Sequence, residues 1–124
     1  MAEQFSPYNL DFRGKTVLVV GGSSGIGNGV AQAFRAAGAE THVWGTREAD
    51  EYRAEDGSDL TGLHYARVDV SDFKAVAELD LGFDRLDVLV TCQGTVAYNR
   101  KEFEIETFRR IVDVNLNSVM ACCM

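Results

Sequence analysis

Features that define secreted, fibrous or membrane-spanning proteins are scarce in this sequence of 124 residues. It has one proline and three cysteines, too few for a proline-rich linker or a disulfide scaffold. The longest apolar run near the amino terminus, residues 17–20, is far shorter than the roughly 18 residues of a spanning helix. No basic stretch followed by an apolar stretch marks a signal peptide. We therefore expect a cytoplasmic protein without a membrane segment.

Positive charge is also scarce, because 12 Lys and Arg stand against 19 Asp and Glu, for a net charge of -7. Such a chain has no long-range attraction for nucleic acid or for an acidic membrane surface, and neither is expected as a partner. The remaining composition, 46% hydrophobic and 25% charged, is typical of a soluble globular domain. An anionic ligand would therefore need a local binding site.

Short β-branched runs alternate with helical patterns along the chain, which predicts an α/β fold built from βαβ units. The predicted strands cover residues 16–20, 40–44, 64–68 and 86–91. The predicted helices cover residues 26–37, 72–79 and 104–124, and residues 47–62 are expected to form a solvated loop that can include one helical turn. The apolar positions of the first helix recur at a spacing of three and four and predict its buried face. These positions are Ile26, Val30, Phe34 and Ala37.

The strongest local signal is a glycine-rich turn between the first strand and the first helix. It runs Gly21, Gly22, Ser23, Ser24, Gly25, Ile26, Gly27. Glycines let the main chain approach a pyrophosphate closely, and free N–H groups with the helix dipole stabilise its charge. The spacing Gly-x-x-x-Gly-x-Gly differs from the Gly-x-Gly-x-x-Gly fingerprint and from a P-loop, which needs a Lys after its last glycine. A structural turn without a ligand stays open as the alternative.

On these residues the chain resembles the short-chain dehydrogenase/reductase family, whose TGxxxGIG motif differs from residues 20–27 only in the leading Thr. Three further segments fall in the family's order, namely Asp69-Val70, residues 86–94 and residues 114–116. The resemblance covers about residues 14–124 and implies a Rossmann-like, doubly wound parallel sheet with strand order 3-2-1-4. Relative to the family, this NAD(P)-binding domain would be incomplete at its C-terminal end. Residues 1–13 would form an N-terminal extension.

The resemblance further implies a nicotinamide dinucleotide as cofactor. The glycine turn would wrap its phosphates and adenosine ribose through Gly21, Ser23, Ser24, Gly25, Ile26 and Gly27. Asp69 would accept from the adenine amino group, and Val70 would donate its backbone N–H. An acidic residue that simply begins the next helix is the alternative for Asp69.

Two later segments resemble the nicotinamide side of the family's site. Gln93 and Gly94 end a turn that is Asn-Asn-Ala-Gly in the family, and of its four residues only the glycine is kept here. That glycine would still admit the nicotinamide-side ribose. Asn115 matches the family's catalytic Asn, which bends its helix and helps to hold a water that relays protons to the active-site lysine. An Asn that only faces solvent or a neighbouring element is the alternative.

Cofactor choice depends on the end of the second strand, where NAD-binding members carry an acid. Here Thr46 and Arg47 occupy that end, and they suit a 2′-phosphate through charge-assisted hydrogen bonds. The sequence therefore predicts NADP(H), with NAD(H) as a second possibility. Arg47 lies one position later than the family's usual arginine, and a solvated loop arginine is the alternative. No metal site is predicted.

Proton delivery in this family comes from a Tyr with a Lys four residues later, beside a Ser. Four residues after Tyr8, Tyr52, Tyr65 and Tyr98 stand Phe12, Asp56, Asp69 and Glu102. The resemblance thus implies the cofactor-binding half of an oxidoreductase for a small carbonyl or alcohol substrate. The alternative is a catalytically inactive fragment that binds nucleotide or self-associates, whereas the glycine spacing counts against a methyltransferase. We expect a homodimer or tetramer through the last helix, with Phe108, Ile111 and Val119 at the interface.

Overall fold

A computed structural model describes residues 10–124, which form two compact units. The first unit contains the described residues up to Val68 together with Leu81–Cys92, and the second contains Asp69–Asp80 and Gln93–Met124. The first unit holds strands β1 (Thr16–Val20), β2 (Glu40–Gly45), β3 (His64–Arg67) and β4 (Val88–Thr91) and helix α1 (Gly25–Ala36). The second holds helices α2 (Phe73–Glu78), α3 (Ile105–Val112) and α4 (Ser118–Cys123). Most of the predicted N-terminal extension lies outside the described residues.

The four strands form one sheet in the order β3-β2-β1-β4, and every neighbouring pair is parallel. The predicted strand order is therefore confirmed. β1 lies between β2 and β4, and residues 17–20 are at most 3% exposed. A nearly continuous Val and Leu run is typical of such a central parallel strand, because both of its faces are covered. No helix in the described part of the chain is long and apolar enough to cross a membrane.

The buried face of α1 differs from the prediction at its first turn. Ile26 is 86% exposed, whereas Gly27 and Ala31 are buried. Val30 and Phe34 pack against the core as predicted. The first turn of α1 approaches the glycine turn so closely that only a residue without a side chain fits on its inner side. Ile26 is therefore left on the outer side, and its place in the predicted buried face is wrong.

The segment predicted as a solvated loop, residues 47–62, is more ordered than expected. It contains two 3-10 helices, Ala49–Glu51 and Ala54–Asp56, and Ser58 is only 5% exposed. Three hydrogen bonds tie residue Asp59 to α1 through Asn28 and Gln32. The predicted loop therefore contains two short helical turns rather than one, and side chains of α1 bind its main chain at Asp59.

In the second unit, the helix predicted over residues 104–124 is interrupted. Between α3 and α4 lies a π-helical segment, Asp113–Asn117, which contains Asn115. α2 begins one residue after its predicted start because Asp72 caps it, with the side chain accepting the N–H of Ala75. Of the predicted interface residues, Phe108 is 54% exposed, and Ile111 and Val119 are half-buried.

Asp87, the residue before β4, is hydrogen-bonded to the start of β1. We expect it to make the free energy of unfolding depend on pH. The Thr16 N–H donates to one carboxylate oxygen at 2.8 Å, and Arg85 Nε donates to the other at 2.7 Å. The Thr16 hydrogen bond and the Arg85 charge lower the pKa of Asp87 below 3.8. A lowered pKa in the folded state stabilises the fold above the unfolded-state pKa, and this stabilisation is lost as the pH falls through the folded pKa.

The variant Asp87→Asn is therefore expected to be less stable than the parent at pH 7. The difference should shrink as the pH falls below the ordinary carboxyl pKa, since the parent then loses its charge as well. Urea unfolding of both proteins at neutral and acid pH measures this. A difference in unfolding free energy that is the same at both pH values would contradict the role assigned to the carboxylate.

Candidate cofactor-binding site

The glycine turn has the backbone shape that its sequence predicts. Gly21 and Gly25 have φ angles of +76° and +57°, in the left-handed region that glycine adopts most readily. Gly27 is required for a different reason, because a Cβ there would overlap the carbonyl oxygen of Gly21 and lie 3.1 Å from the Cβ of Cys92. The turn, α1 and the end of β4 are thus in close contact at one point.

The outer side of this turn has room and donors for an anion. A Cβ placed on Gly25 would meet nothing within 4 Å, and the exposed Ser24 makes no side-chain capping bond to α1. The Gly25 N–H donates to Gly57 and the Asn28 N–H to Ser24. The N–H groups of Ile26 and Gly27 have no hydrogen-bond partner within residues 10–124. Free N–H groups at a helix start suit a phosphate, so this cradle fits the pyrophosphate of a dinucleotide.

At the end of β2, two successive backbone N–H groups donate to a single oxygen. The N–H groups of Thr46 and Arg47 lie 3.1 and 3.2 Å from the Tyr52 hydroxyl oxygen. A Cβ on Gly45 would overlap Ser23 and lie 2.5 Å from the same oxygen, so glycine keeps this space open. Neighbouring N–H groups that converge on one oxygen form an anion-binding concavity. In this structure the Tyr52 hydroxyl oxygen occupies the concavity.

The two tyrosines near this concavity have pKa values shifted in opposite directions. Burial raises the pKa of Tyr52, but hydrogen bonds from Ser23, Tyr65 and the two backbone N–H groups outweigh it and hold that pKa below 10.0. Burial raises the pKa of Tyr65, and its contact with Tyr52 raises it further. The protonated Tyr65 hydroxyl donates to the carbonyl of Arg47 and fixes the main chain there.

Two arginines lie at the same end of the sheet. Within the described residues, the Arg47 guanidinium has no ion pair, and it lies 5.6 Å from the centroid of the Tyr52 ring. Arg67 Nε donates to the carbonyl of Thr46 at 3.0 Å, and its Nη1 pairs with Glu48 at 2.5 Å. The sequence patterns do not point to Arg67, Tyr52 or Tyr65. Arg67 can be assigned to this site only from the β2–β3 register, in which it lies beside Gly45.

Asn28 is a further residue that no motif marks. It is 6% exposed, and its Nδ2 donates to the carbonyls of Gly22 at 3.1 Å and Asp59 at 2.8 Å. Its Oδ1 accepts the N–H of Asp59 at 3.0 Å. One side chain thereby joins the glycine turn, α1 and the loop that follows β2.

The variant Asn28→Asp is expected to lower the unfolding free energy by about 2 kcal/mol, because it removes two donated bonds and turns a carboxylate toward two carbonyls. Chemical denaturation measures the loss. The matched control is Gln32→Glu, the same chemical change one turn later on a half-buried side chain whose hydrogen bonds to the carbonyls of Asp59 and Thr61 are exposed to solvent. Equal losses in the two variants would show that burial of Asn28 contributes nothing.

The second unit places Asp69 and Val70 just before α2. Oδ1 of Asp69 accepts the backbone N–H and the hydroxyl of Ser71, at 3.0 and 2.6 Å. Oδ2 has no partner among the residues described, and the side chain is exposed, so one oxygen is available to an outside donor. The helix-starting role that was the alternative for Asp69 belongs instead to Asp72. Val70 is 6% exposed.

Asn115 holds the turn that contains Gln93 and Gly94. Its Oδ1 accepts the N–H of Thr95 at 2.7 Å, and its Nδ2 donates to the carbonyl of Thr95 at 2.9 Å. Gln93 Nε2 donates to Ser118 Oγ at 3.0 Å, and Gln93 Oε1 is buried with no partner in the described residues. π-helical segments occur frequently at functional sites, and in this one the exposed Asn115 is hydrogen-bonded to the main chain of a turn.

Comparison with known proteins agrees with this geometry. The sequence profile of the family described as short chain dehydrogenase matches residues 15–124. The chain belongs to the short-chain dehydrogenase/reductase family. Its parallel sheet, in the order β3-β2-β1-β4, is Rossmann-like, as in solved structures of this family.

Individual members of the short-chain dehydrogenase/reductase family are moderately similar to this chain. A 2-dehydro-3-deoxy-L-rhamnonate dehydrogenase (NAD(+)) from Sphingomonas sp. is 28% identical and covers 90% of the chain, which spans 46% of that protein. A 3-oxoacyl-acyl-carrier-protein reductase from Chlamydia muridarum is 33% identical over 88% of the chain and 47% of its own length. The Pseudomonas aeruginosa RhlG/NADP active-site complex superposes with a TM-score of 0.69, at 25% identity, over 91% of this chain and 45% of its own. The chain therefore spans about half the length of the relatives that it matches.

Proposed function

We propose that this chain binds a nicotinamide dinucleotide and forms the cofactor-binding half of a cytoplasmic oxidoreductase for a small carbonyl or alcohol substrate. The observation that carries the proposal is the glycine turn, with open space at Gly25 and with N–H groups on Ile26 and Gly27 that have no partner among the described residues. When bound, the nicotinamide ring exchanges a hydride with the substrate. The residues of this chain bind and orient the cofactor, through the donors at the start of α1.

The resemblance extends the proposal to the second unit. Asp69 is proposed to accept from the adenine amino group through Oδ2, and Val70 to donate its backbone N–H. Gln93 and Gly94 are proposed to contact the nicotinamide-side ribose. Asn115 is proposed to help hold the proton-relay water. The two hydrogen bonds from its side chain to Thr95 support a fixed position for the main chain at Asn115.

We further propose that the cofactor is NADP(H), with NAD(H) bound more weakly. The end of β2 carries no carboxylate at Thr46 or Arg47, and their two N–H groups converge on one oxygen. A 2′-phosphate oxygen would replace the Tyr52 hydroxyl there, and the unpaired Arg47 guanidinium would reach its charge. NAD(H) has a hydroxyl in place of this phosphate and cannot use the Arg47 charge.

The variant Arg47→Ala tests both proposals. We expect it to weaken NADP+ binding about 10-fold, since a hydrogen bond to a charged group at an exposed position contributes near the lower end of 1.5–3 kcal/mol. Affinity for NAD+ should stay within about 2-fold, because NAD+ carries no 2′-phosphate for Arg47 to contact. Isothermal titration with NADP+ and NAD+ measures the two affinities. The matched control is Arg109→Ala, an exposed arginine on α3.

The outcomes of this titration separate the two proposals. No saturable binding of either dinucleotide to the parent chain would refute dinucleotide binding. Binding of both with equal affinity, unchanged in Arg47→Ala, would refute only the preference for NADP(H).

Self-association is the second candidate function, and one observation favours it. Phe108, Leu116 and Met120 are each more than half exposed and follow one another at helical spacing along the second unit. A homodimer or tetramer through this surface is proposed, with Phe108, Ile111 and Val119 as the predicted contacts. A chain that sediments as a well-folded monomer at micromolar concentration would refute this proposal.

A further inference from the structure

The chain contains two histidines, and the sheet places them side by side. His42 of β2 and His64 of β3 are partners in the parallel register, so their side chains lie on the same face of the sheet. Their rings stack with centroids 4.7 Å apart and planes at 25°. Glu40 lies two residues before His42 and therefore on the same face, and its Oε1 is 2.8 Å from His42 Nε2.

These three side chains have the donor set and the spacing of a metal site. One ligand atom from each of Glu40, His42 and His64 lies within 4.8 Å of the other two. Two ligands on a tetrahedral Zn²⁺, at bond lengths near 2.1 Å, are about 3.4 Å apart. A movement of roughly 1 Å by the exposed side chains of Glu40 and His64 would close the remaining gap.

The central ligand is held more firmly than the other two. The His42 side chain is 15% exposed, against 53% for that of Glu40. Phe83 packs against the His42 ring, with the ring centroids 4.5 Å apart. A partly buried imidazole beside an apolar ring provides one fixed ligand, and the two mobile ligands need only rotate toward it.

This cluster is separate from the candidate cofactor site. Glu40 and His64 are the first residues of β2 and β3, whereas Thr46 and Arg47 follow the last residue of β2. The alternate residues of β2, Thr41 and Val43, are buried on the other face, where Val43 joins the core that includes Ala31 of α1. The cluster therefore lies toward the amino ends of the strands, on the face opposite α1.

We propose that Glu40, His42 and His64 bind a divalent transition metal ion of the Zn²⁺ class. Two imidazole nitrogens and one carboxylate oxygen are a ligand set that zinc accepts, with a water molecule in the fourth position. The ion would bridge His42 and Glu40 in place of their direct hydrogen bond and join β2 to β3. The two histidines are far apart in the sequence and match no metal-binding spacing, so only the strand register reveals the cluster.

Isothermal titration of the chain, without a histidine tag, with ZnCl₂ tests the proposal. We expect one saturable site per chain. In proton NMR, both imidazole signals should shift together at substoichiometric zinc. His64→Asn and Glu40→Gln should each weaken binding at least about 10-fold, since each removes one of three protein ligands. Circular dichroism of the zinc-free variants checks that they keep the fold.

Two control variants separate this site from other zinc ligands in the chain. Glu104→Gln makes the same change at an exposed glutamate that is not one of the three proposed ligands, and it should leave the affinity unchanged. The double variant Cys122→Ser with Cys123→Ser removes the neighbouring thiols and should also leave the affinity unchanged. Loss of binding in the cysteine variant with retention in His64→Asn would overturn the proposal, as would the absence of saturable binding to the parent chain.

Discussion

Replacement of Gly27 by alanine is expected to lower the unfolding free energy by about 3 kcal/mol, the upper part of the range for overpacking a close contact. The new Cβ would overlap the Gly21 carbonyl oxygen and lie 3.1 Å from the Cβ of Cys92. The Gly21 atoms are backbone of the turn, and the Cys92 Cβ is bonded directly to the main chain just after β4, so neither can move aside as the far end of a flexible side chain would. The helix preference of alanine over glycine, about 1 kcal/mol, is too small to offset the overlap.

Gly29→Ala is the matched control, because Gly29 lies on the same helix and a Cβ there would meet nothing within 4 Å. This variant should be more stable than the parent by up to about 1 kcal/mol. Urea denaturation measures the unfolding free energies of Gly27→Ala and Gly29→Ala. If Gly27→Ala were as stable as the parent, the close contact between α1 and the glycine turn would not be a feature of the folded protein.

The parts of the fold that could be predicted from sequence depend on local patterns. β1 and the turn after it are marked by a run of apolar β-branched residues and by glycines whose spacing is specific. The short connection from α1 to β2 predicts a parallel neighbour for β1, whereas the full strand order is implied by the family resemblance. The predicted order is confirmed.

The errors arise where a local pattern depends on a distant element. Helical periodicity assigns Ile26 to the buried face, but the close approach of Gly27 to the glycine turn leaves Ile26 outside. Periodicity likewise gives one helix over residues 104–124, whereas a π-helical segment interrupts it where Asn115 binds Thr95. A side chain that bonds to a main chain twenty residues away leaves no signal in a local window.

The residues of the candidate site likewise fall into those that the sequence predicts and those that it does not. The glycine turn and Arg47 were visible because a motif or a strand end marks them. Tyr52 and Arg67 were not, since they reach the end of β2 only through folding of the loop and through the β2–β3 register. The chemistry of the concavity at Thr46 therefore depends on residues that no motif includes.

Gly21→Asp is expected to weaken NADP(H) binding at least about 100-fold, or roughly 2.7 kcal/mol. The turn that carries Gly21 is the proposed pyrophosphate cradle, and a carboxylate about 4 Å from a phosphate charge is repelled by 1 kcal/mol in water and by about 4 kcal/mol near a protein surface. Isothermal titration with NADPH measures the loss.

Strain must be separated from charge, since Gly21 has a φ of +76° and a residue other than glycine there costs about 1–2 kcal/mol. Gly14→Asp provides this control, because Gly14 has a φ of +79°, is exposed, and has nothing within 4 Å of an added Cβ. It should lose similar stability and keep its affinity for NADPH. Gly21→Asn, which is nearly isosteric with the aspartate variant and uncharged, should bind more tightly than Gly21→Asp. Equal NADPH affinity in the parent and in Gly21→Asp would mean that the phosphates do not lie at this turn. Equal losses of NADPH affinity in Gly21→Asp and Gly14→Asp would mean that backbone strain alone is responsible.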